Sequence, residues 1–194
     1  MKGSSDSSPG GIFRTLCFVQ LALLAVAFAW GLIRGIRFWN FVRIDGSLLW
    51  GAAIGAAFVC LSVLFYAFRR WLPFLNYDWI VNELYCPVFG RLSFRHFVVV
   101  SILSGVCEES FFRGILCSEF GPVVSAVVFG LCHLGDARLV ASGVWIGFVG
   151  FVLARLFETT GNLGDCMVAH CVNNFLSFLL LSLLMSKKGG GACR

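Results

Sequence analysis

The sequence predicts an all-α fold: a polytopic transmembrane helical bundle of about six spans, with a polar catalytic cavity among the last four. Three observations carry that expectation. The apolar fraction is 59% and the charged fraction 13%, with a mean hydropathy of +0.88, whereas soluble domains run at about 45–50% apolar and about 25% charged. The apolar residues fall into long runs separated by short basic or turn-rich stretches, as membrane-crossing helices require. Inside one of those runs stand Glu108, Glu109 and Arg113, and a charge at mid-membrane costs about 2.5–3.5 kcal/mol on insertion scales.

Residues 1–11 are small and polar and read as a disordered tail. Residues 12–33 form the first span, interrupted only by Arg14 and Gln20. The small residues at Ala25, Ala27 and Ala29 imitate a cleavage site, but the apolar run continues past them to Ile33, which favours an uncleaved span. Arg34, Arg37 and Arg43 mark a loop, and residues 47–68 the second span, whose Gly51, Ala52, Ala53, Gly55, Ala56 and Ala57 suit close helix packing. The connection 69–95 carries Trp71, Tyr77, Trp79 and Tyr85, aromatic types that favour the membrane interface. Residues 97–116 are the third span, broken off by Gly121-Pro122. Residues 123–134 are a short fourth apolar segment, 139–157 the fifth and 167–185 the sixth, with a turn at 159–165 and a basic tail at 186–194. As domains, the chain divides into the tail, a two-span region with its connection (12–94), a core (95–185) and the C-terminal tail.

Charge sets further bounds. The net charge of +5 is spread between the apolar runs rather than gathered on one face, so nucleic acid is not an expected partner. With six spans, ten Lys and Arg lie on the side of the N-terminus against three on the other, which places both termini in the cytoplasm. Nine cysteines with no C-x-x-C spacing read as small buried hydrophobes.

The polar residues of the core converge by economy. Glu109 and Arg113 are four apart and share a helix face, with the acid N-terminal; they read as a neutralising pair. Glu108 is rotated about 100° away, over Ser101, Ser104 and Gly105, and reads as the carboxylate left free for chemistry. His133 ends the fourth segment, and His170, Asn174 and Ser177 make one stripe on the sixth. His96, beside Arg95 at a span start, reads as interfacial. Glu108, His133, His170 and Asn174 lie on three apolar segments and each needs a partner, which one shared cavity supplies at least cost.

A carboxylate and a histidine can deprotonate a bound water, and a second histidine with an amide can donate to an oxyanion. That describes an amide hydrolase attacking with water and needing no cofactor. The same Glu108, His133 and His170 also match a catalytic Zn2+ site, and on the residues alone both designs stay open. A third reading is a non-proteolytic membrane scaffold or immunity factor whose cavity binds a partner. No serine stands in a G-x-S-x-G context and there is no H-E-x-x-H.

Three motifs, Glu108-Glu109-Ser-Phe-Phe-Arg113, Phe129-Gly-Leu-Cys-His133 and His170-Cys-Val-Asn-Asn174, resemble those of the CAAX protease and bacteriocin-processing (CPBP, or Abi) family of intramembrane proteases. That family is related to the Ras-converting CAAX endopeptidase. The resemblance covers about residues 95–185, and the first two spans carry no motif. It implies Glu108 as the base activating water with His133, His170 and Asn174 as the oxyanion site, and Glu109 with Arg113 as orienting residues. It also implies a glutamate-dependent mechanism without metal and a protein or peptide substrate met at the membrane, lipidated in the CAAX case. Cys107, Cys132 and Cys171 flank the motifs and read as packing residues.

Overall fold

The computed structural model describes residues 8–134 and 136–187, and among these every regular element is helical. The predicted tail residues 1–7 and 188–194 lie outside the described residues. Helix α1, Pro9–Arg34, begins inside the stretch read as tail, because Ser8 accepts a hydrogen bond from Gly11 N and Pro9 occupies the first turn. It ends on Gly35, whose φ of 73° closes the helix. Helix α2 spans Leu48–Ala67.

Helix α3, Phe94–Phe111, starts at a capping box formed by Ser93 and His96. It runs into a π-helical turn, Phe112–Cys117, and on into α4, Ser118–Cys132. The wide turn frees the carbonyl of Phe112, which Ser125 Oγ satisfies at 2.7 Å. At Gly121 (φ 82°) the chain bends, with Pro122 beyond it. The predicted third and fourth spans are therefore two arms of one bent helix, Phe94–Cys132, of 39 residues. Helices α5, Val140–Thr160, and α6, Leu163–Lys187, complete the bundle, hinged at Gly161 (φ 61°).

Five helices are long and apolar enough to cross a membrane, counting the bent one once. Their outer faces leave Phe18, Leu32, Ile33, Leu49, Trp50 and Val144 more than half exposed, a surface suited to lipid rather than water. The chain is a multi-pass membrane protein. Close packing comes where the small residues predict it: on α2, a methyl group at Gly51 or Gly55 would run into the carbonyl oxygen of Asp165 or Ala169 on α6. The core is built from Phe38, Ile115, Leu153, Leu163, Cys166 and Ala169.

The connection between α2 and α3 keeps Trp71 and Phe74 exposed. It folds into short turns, Pro73–Leu75, Tyr77–Trp79, Ile80–Tyr85 and Cys86–Phe89. Tyr77, Ile80, Tyr85 and Phe89 among them line the cavity described next. Burial pushes the Tyr77 hydroxyl up to about 12 and that of Tyr85 upward as well.

Candidate active site

Packing of α3 against α6 brings the first and third motifs together. Glu109 and Arg113 are both fully buried and pair as their spacing predicts, with Arg113 Nη1 at 2.9 Å from Glu109 Oε1. A buried charge needs hydrogen bonds as well as a counter-ion. Arg113 Nη2 donates to Gly150 O on α5 at 2.9 Å, and its guanidinium carbon lies 4.5 Å from the centre of the Phe129 ring. One arginine thus ties α3 to α4 and α5.

Glu109 has a second partner that spacing alone does not reveal. Its Oε1 lies 2.7 Å from His170 Nδ1. A proton on Nδ1 makes that contact a hydrogen bond and fixes the ring, so that Nε2 faces Glu108, with Oε2 at 3.9 Å. His170 thus stands between the two adjacent carboxylates, which leave α3 in different directions. One turn further along α6, Asn174 Nδ2 donates to Ser104 Oγ at 2.8 Å, keeping its second N–H free.

His133 sits just past the end of α4. Its Nδ1 lies 2.7 Å from the carbonyl of Phe129 one turn back. With the proton on Nδ1, the Nε2 lone pair is the free one. The Phe129 ring separates the histidines, with its centre 4.8 Å from His133 and 6.1 Å from His170. Glu108, His133, His170 and Asn174 all line one cavity of about 540 Å³, together with Ser104 and Ser177. The structure thus gathers the four predicted catalytic residues, while Glu109 and Arg113 stand behind them.

For a zinc ion the geometry is divided: the contact of His170 Nδ1 with Glu109 leaves Nε2 free, as a metal-ligating histidine would have it, but among the described residues no three His, Cys, Asp or Glu side chains are grouped to hold a metal. The flanking cysteines divide: Cys107 is buried, Cys171 partly so, and Cys132 lies at the surface.

Two polar features were not assigned to any site by sequence reasoning. Gln20 of α1 donates from Nε2 to Glu108 Oε1 at 2.7 Å; its isolation in an apolar run was the available signal. At the far end of α6, in the stretch read as a turn, Asn162 and Asp165 are fully buried. Asn162 Nδ2 donates to Ser47 Oγ and to Asp165 Oδ1, each at 2.9 Å, so the turn anchors α6 to the start of α2. His96 behaves as an end-of-helix residue, accepting from Ser93 N at 3.2 Å.

Comparison with known proteins finds a likeness over the same stretch of chain. Residues 90–176 match the model of a family described as Rce1-like, type II CAAX prenyl endopeptidase. The matched stretch contains all six charged or polar motif residues. The chain is also 26% identical over 159 residues to the uncharacterized protein YpbD of Bacillus subtilis, covering 79% of this chain and 81% of that one. No solved structure matches it significantly.

Proposed function

We propose, on the match of residues 90–176 to the model described as Rce1-like, type II CAAX prenyl endopeptidase, that this protein is an intramembrane endopeptidase in which Glu108 and His133 activate a water molecule. The observation that carries the reading is the unequal treatment of two adjacent carboxylates. Glu109 is engaged by Arg113 and His170 and stands outside the cavity lining, whereas among the described residues Glu108 is held by Gln20 alone and lines the cavity; among those residues the second oxygen of each has no protein donor.

In the proposed reaction, water gives a proton to Glu108 Oε2 or His133 Nε2 as its oxygen attacks the scissile carbonyl carbon. The new C–O bond pushes the carbonyl electron pair onto oxygen. The free N–H of Asn174 and a protonated Nε2 of His170 donate to that oxyanion. His170 with two protons also balances the cluster, since Glu108, Glu109 and Arg113 together carry one excess negative charge. The pair then returns to reform the carbonyl, the C–N bond breaks, and the proton held by the base goes to the leaving amine. No step calls on a metal. A cavity walled by Phe58, Tyr85, Trp145 and Phe178 suits an apolar peptide segment or a lipidated side chain.

The test compares membranes from cells making wild type and Glu108→Gln at matched levels, by mass spectrometry of protein termini. A terminus made only by wild type is expected, with a rate loss of about 100- to 10,000-fold in the variant. Equal cleavage by both would sink the reading. A phenotype surviving the substitution without cleavage would point to a binding role, and activity lost to a chelator and restored by zinc would point to a metal.

A further inference from the structure

The three motifs all lie within the matched residues 90–176, yet among the described residues the hydrogen bond donated to the Glu108 carboxylate comes from outside that segment. Gln20 sits midway along α1, on a helix whose 18-residue apolar window has a mean hydropathy of 2.4. An amide there is costly unless satisfied. Its Nε2 is satisfied by Glu108 Oε1 at 2.7 Å. Its Oε1 is buried and meets no donor among the described residues, and the same is true of Glu108 Oε2.

Both side chains line the same cavity. Buried acceptors without donors are rare and call for an explanation. A molecule that donates two hydrogen bonds and fits beside a carboxylate satisfies both, and water is the smallest that does so. The amide is also oriented for the task. Presenting Oε1 rather than Nε2 to the carboxylate would set two acceptors against each other, so the observed hydrogen bond fixes which end of Gln20 remains for the cavity.

We infer that Gln20 is a positioning residue of the site, holding Glu108 by Oε1 so that Oε2 is the base, and accepting the second proton of the attacking water through its own Oε1. With one O–H directed to Glu108 Oε2 and the other to Gln20 Oε1, the water's lone pair is left to attack. This inference rests on the proposed endopeptidase reading. It adds that the first span, which carries no family motif, completes the active site.

The helix is held in place for that role at its other end, where Trp30 Nε1 donates to Glu119 Oε2 at 2.6 Å and Arg34 Nε pairs with Glu119 Oε1 at 2.7 Å. Both contacts join α1 to the bent helix just past the π turn, so the depth of Gln20 beside Glu108 is set by more than its own hydrogen bond.

The test uses Gln20→Met, which keeps the length of an unbranched side chain and removes both polar atoms. The probe is a synthetic peptide spanning the terminus that wild type makes and Glu108→Gln does not. The expected result is a kcat lower by about 10- to 100-fold, the worth of a hydrogen bond to a charged group, with KM within twofold. The infrared carboxylate band of Glu108, isolated as the difference between wild type and Glu108→Gln, is expected to move in Gln20→Met. A kcat within twofold of wild type overturns the inference and leaves the endopeptidase reading standing. A lower kcat with an unmoved band and a reduced Tm assigns Gln20 a packing role, which also overturns it. If wild type makes no Glu108-dependent terminus, the endopeptidase reading fails and takes this inference with it.

Discussion

Two primary amides reach into the bundle, Asn162 before α6 and Gln20 midway along α1, and they are treated in opposite ways. Asn162 uses all of its hydrogen-bonding capacity. Its Oδ1 accepts from Arg43 N and Gly164 N, each at 2.9 Å, and its Nδ2 donates to Ser47 and Asp165. Gln20, beside Glu108 of α3, uses one donor on that carboxylate, and among the described residues its carbonyl meets no donor. The carboxylates beside them follow suit in part: Asp165 is closed in with Ser47 and Asn162, although its Oδ2 has no partner, while Glu108 opens into the cavity. A buried polar group that is fully bonded holds helices together. One that is half bonded beside a cavity is available to a ligand, and its unmet capacity says what that ligand must offer.

That contrast can be broken by substitutions that separate stability from turnover. The largest effect is expected at Glu108→Gln, which removes turnover while the neutral amide retains a hydrogen bond with Gln20. Its Tm in detergent should equal or exceed that of wild type, because a carboxylate is no longer held in an apolar interior. A marked fall in Tm would mean that Glu108 belongs to the structural class. Arg113→Met is expected to do the reverse. It strands Glu109 without its counter-ion and leaves Gly150 O without its donor, at a cost of about 3–5 kcal/mol. The readout is loss of folded protein in size-exclusion chromatography, or a steep drop in Tm.

Asn162→Ala should come next. It leaves Ser47, Asp165 and the two backbone amides short of a partner, and costs about 1–3 kcal/mol of stability. What folded protein remains should cleave at the wild-type rate, since no atom of this cluster lines the cavity. A selective fall in kcat at unchanged Tm would erase the distinction between the two amides.

How far these differences were legible follows from what each depends on. The Glu109–Arg113 pair is a matter of four-residue spacing on a helix, and it is present as expected. The convergence of Glu108, His133, His170 and Asn174 was readable because polar groups are scarce in this chain and an apolar surrounding forces them together. The link between Gln20 and Glu108 was not readable, because which helix lies beside which is decided by packing rather than by pattern; Gln20 alone shows only that it needs a partner. Asn162 lies in a run of Thr, Gly, Asn and Asp that reads as a solvated turn. Only the fold of the 35–46 loop, which brings Arg43 and Ser47 to it, turns the run into a buried lock. The aromatic connection before α3 was only partly legible: its aromatic residues suggested the membrane interface, and that Tyr77 and Tyr85 also wall the cavity depends on packing.

A third kind of polar contact, exposed to water, sets the lower end of the scale. Between α4 and α5, Asp136 accepts from Arg138 through its side chain at 2.9 and 3.0 Å and from Arg138 N at 2.8 Å. Arg138 in turn lies over the ring of Trp79, 4.1 Å from its centre, tying this hinge to the connection that walls the cavity. The hydrogen bonds from the Arg138 side chain, followed by that from its backbone, hold the Asp136 carboxyl down at about 2, from an ordinary 3.8. A carboxyl held lower in the folded than in the unfolded chain adds stability above the unfolded value and loses it as pH falls through the folded one. Asp136→Asn should therefore lower Tm slightly at neutral pH, and the gap from wild type should close between about pH 4 and pH 2. The effect is small because both side chains are solvated and screened. A gap that persists unchanged at pH 2 would assign the loss to the backbone turn at Arg138 N rather than to charge, since the asparagine carbonyl still accepts that hydrogen bond less well at every pH.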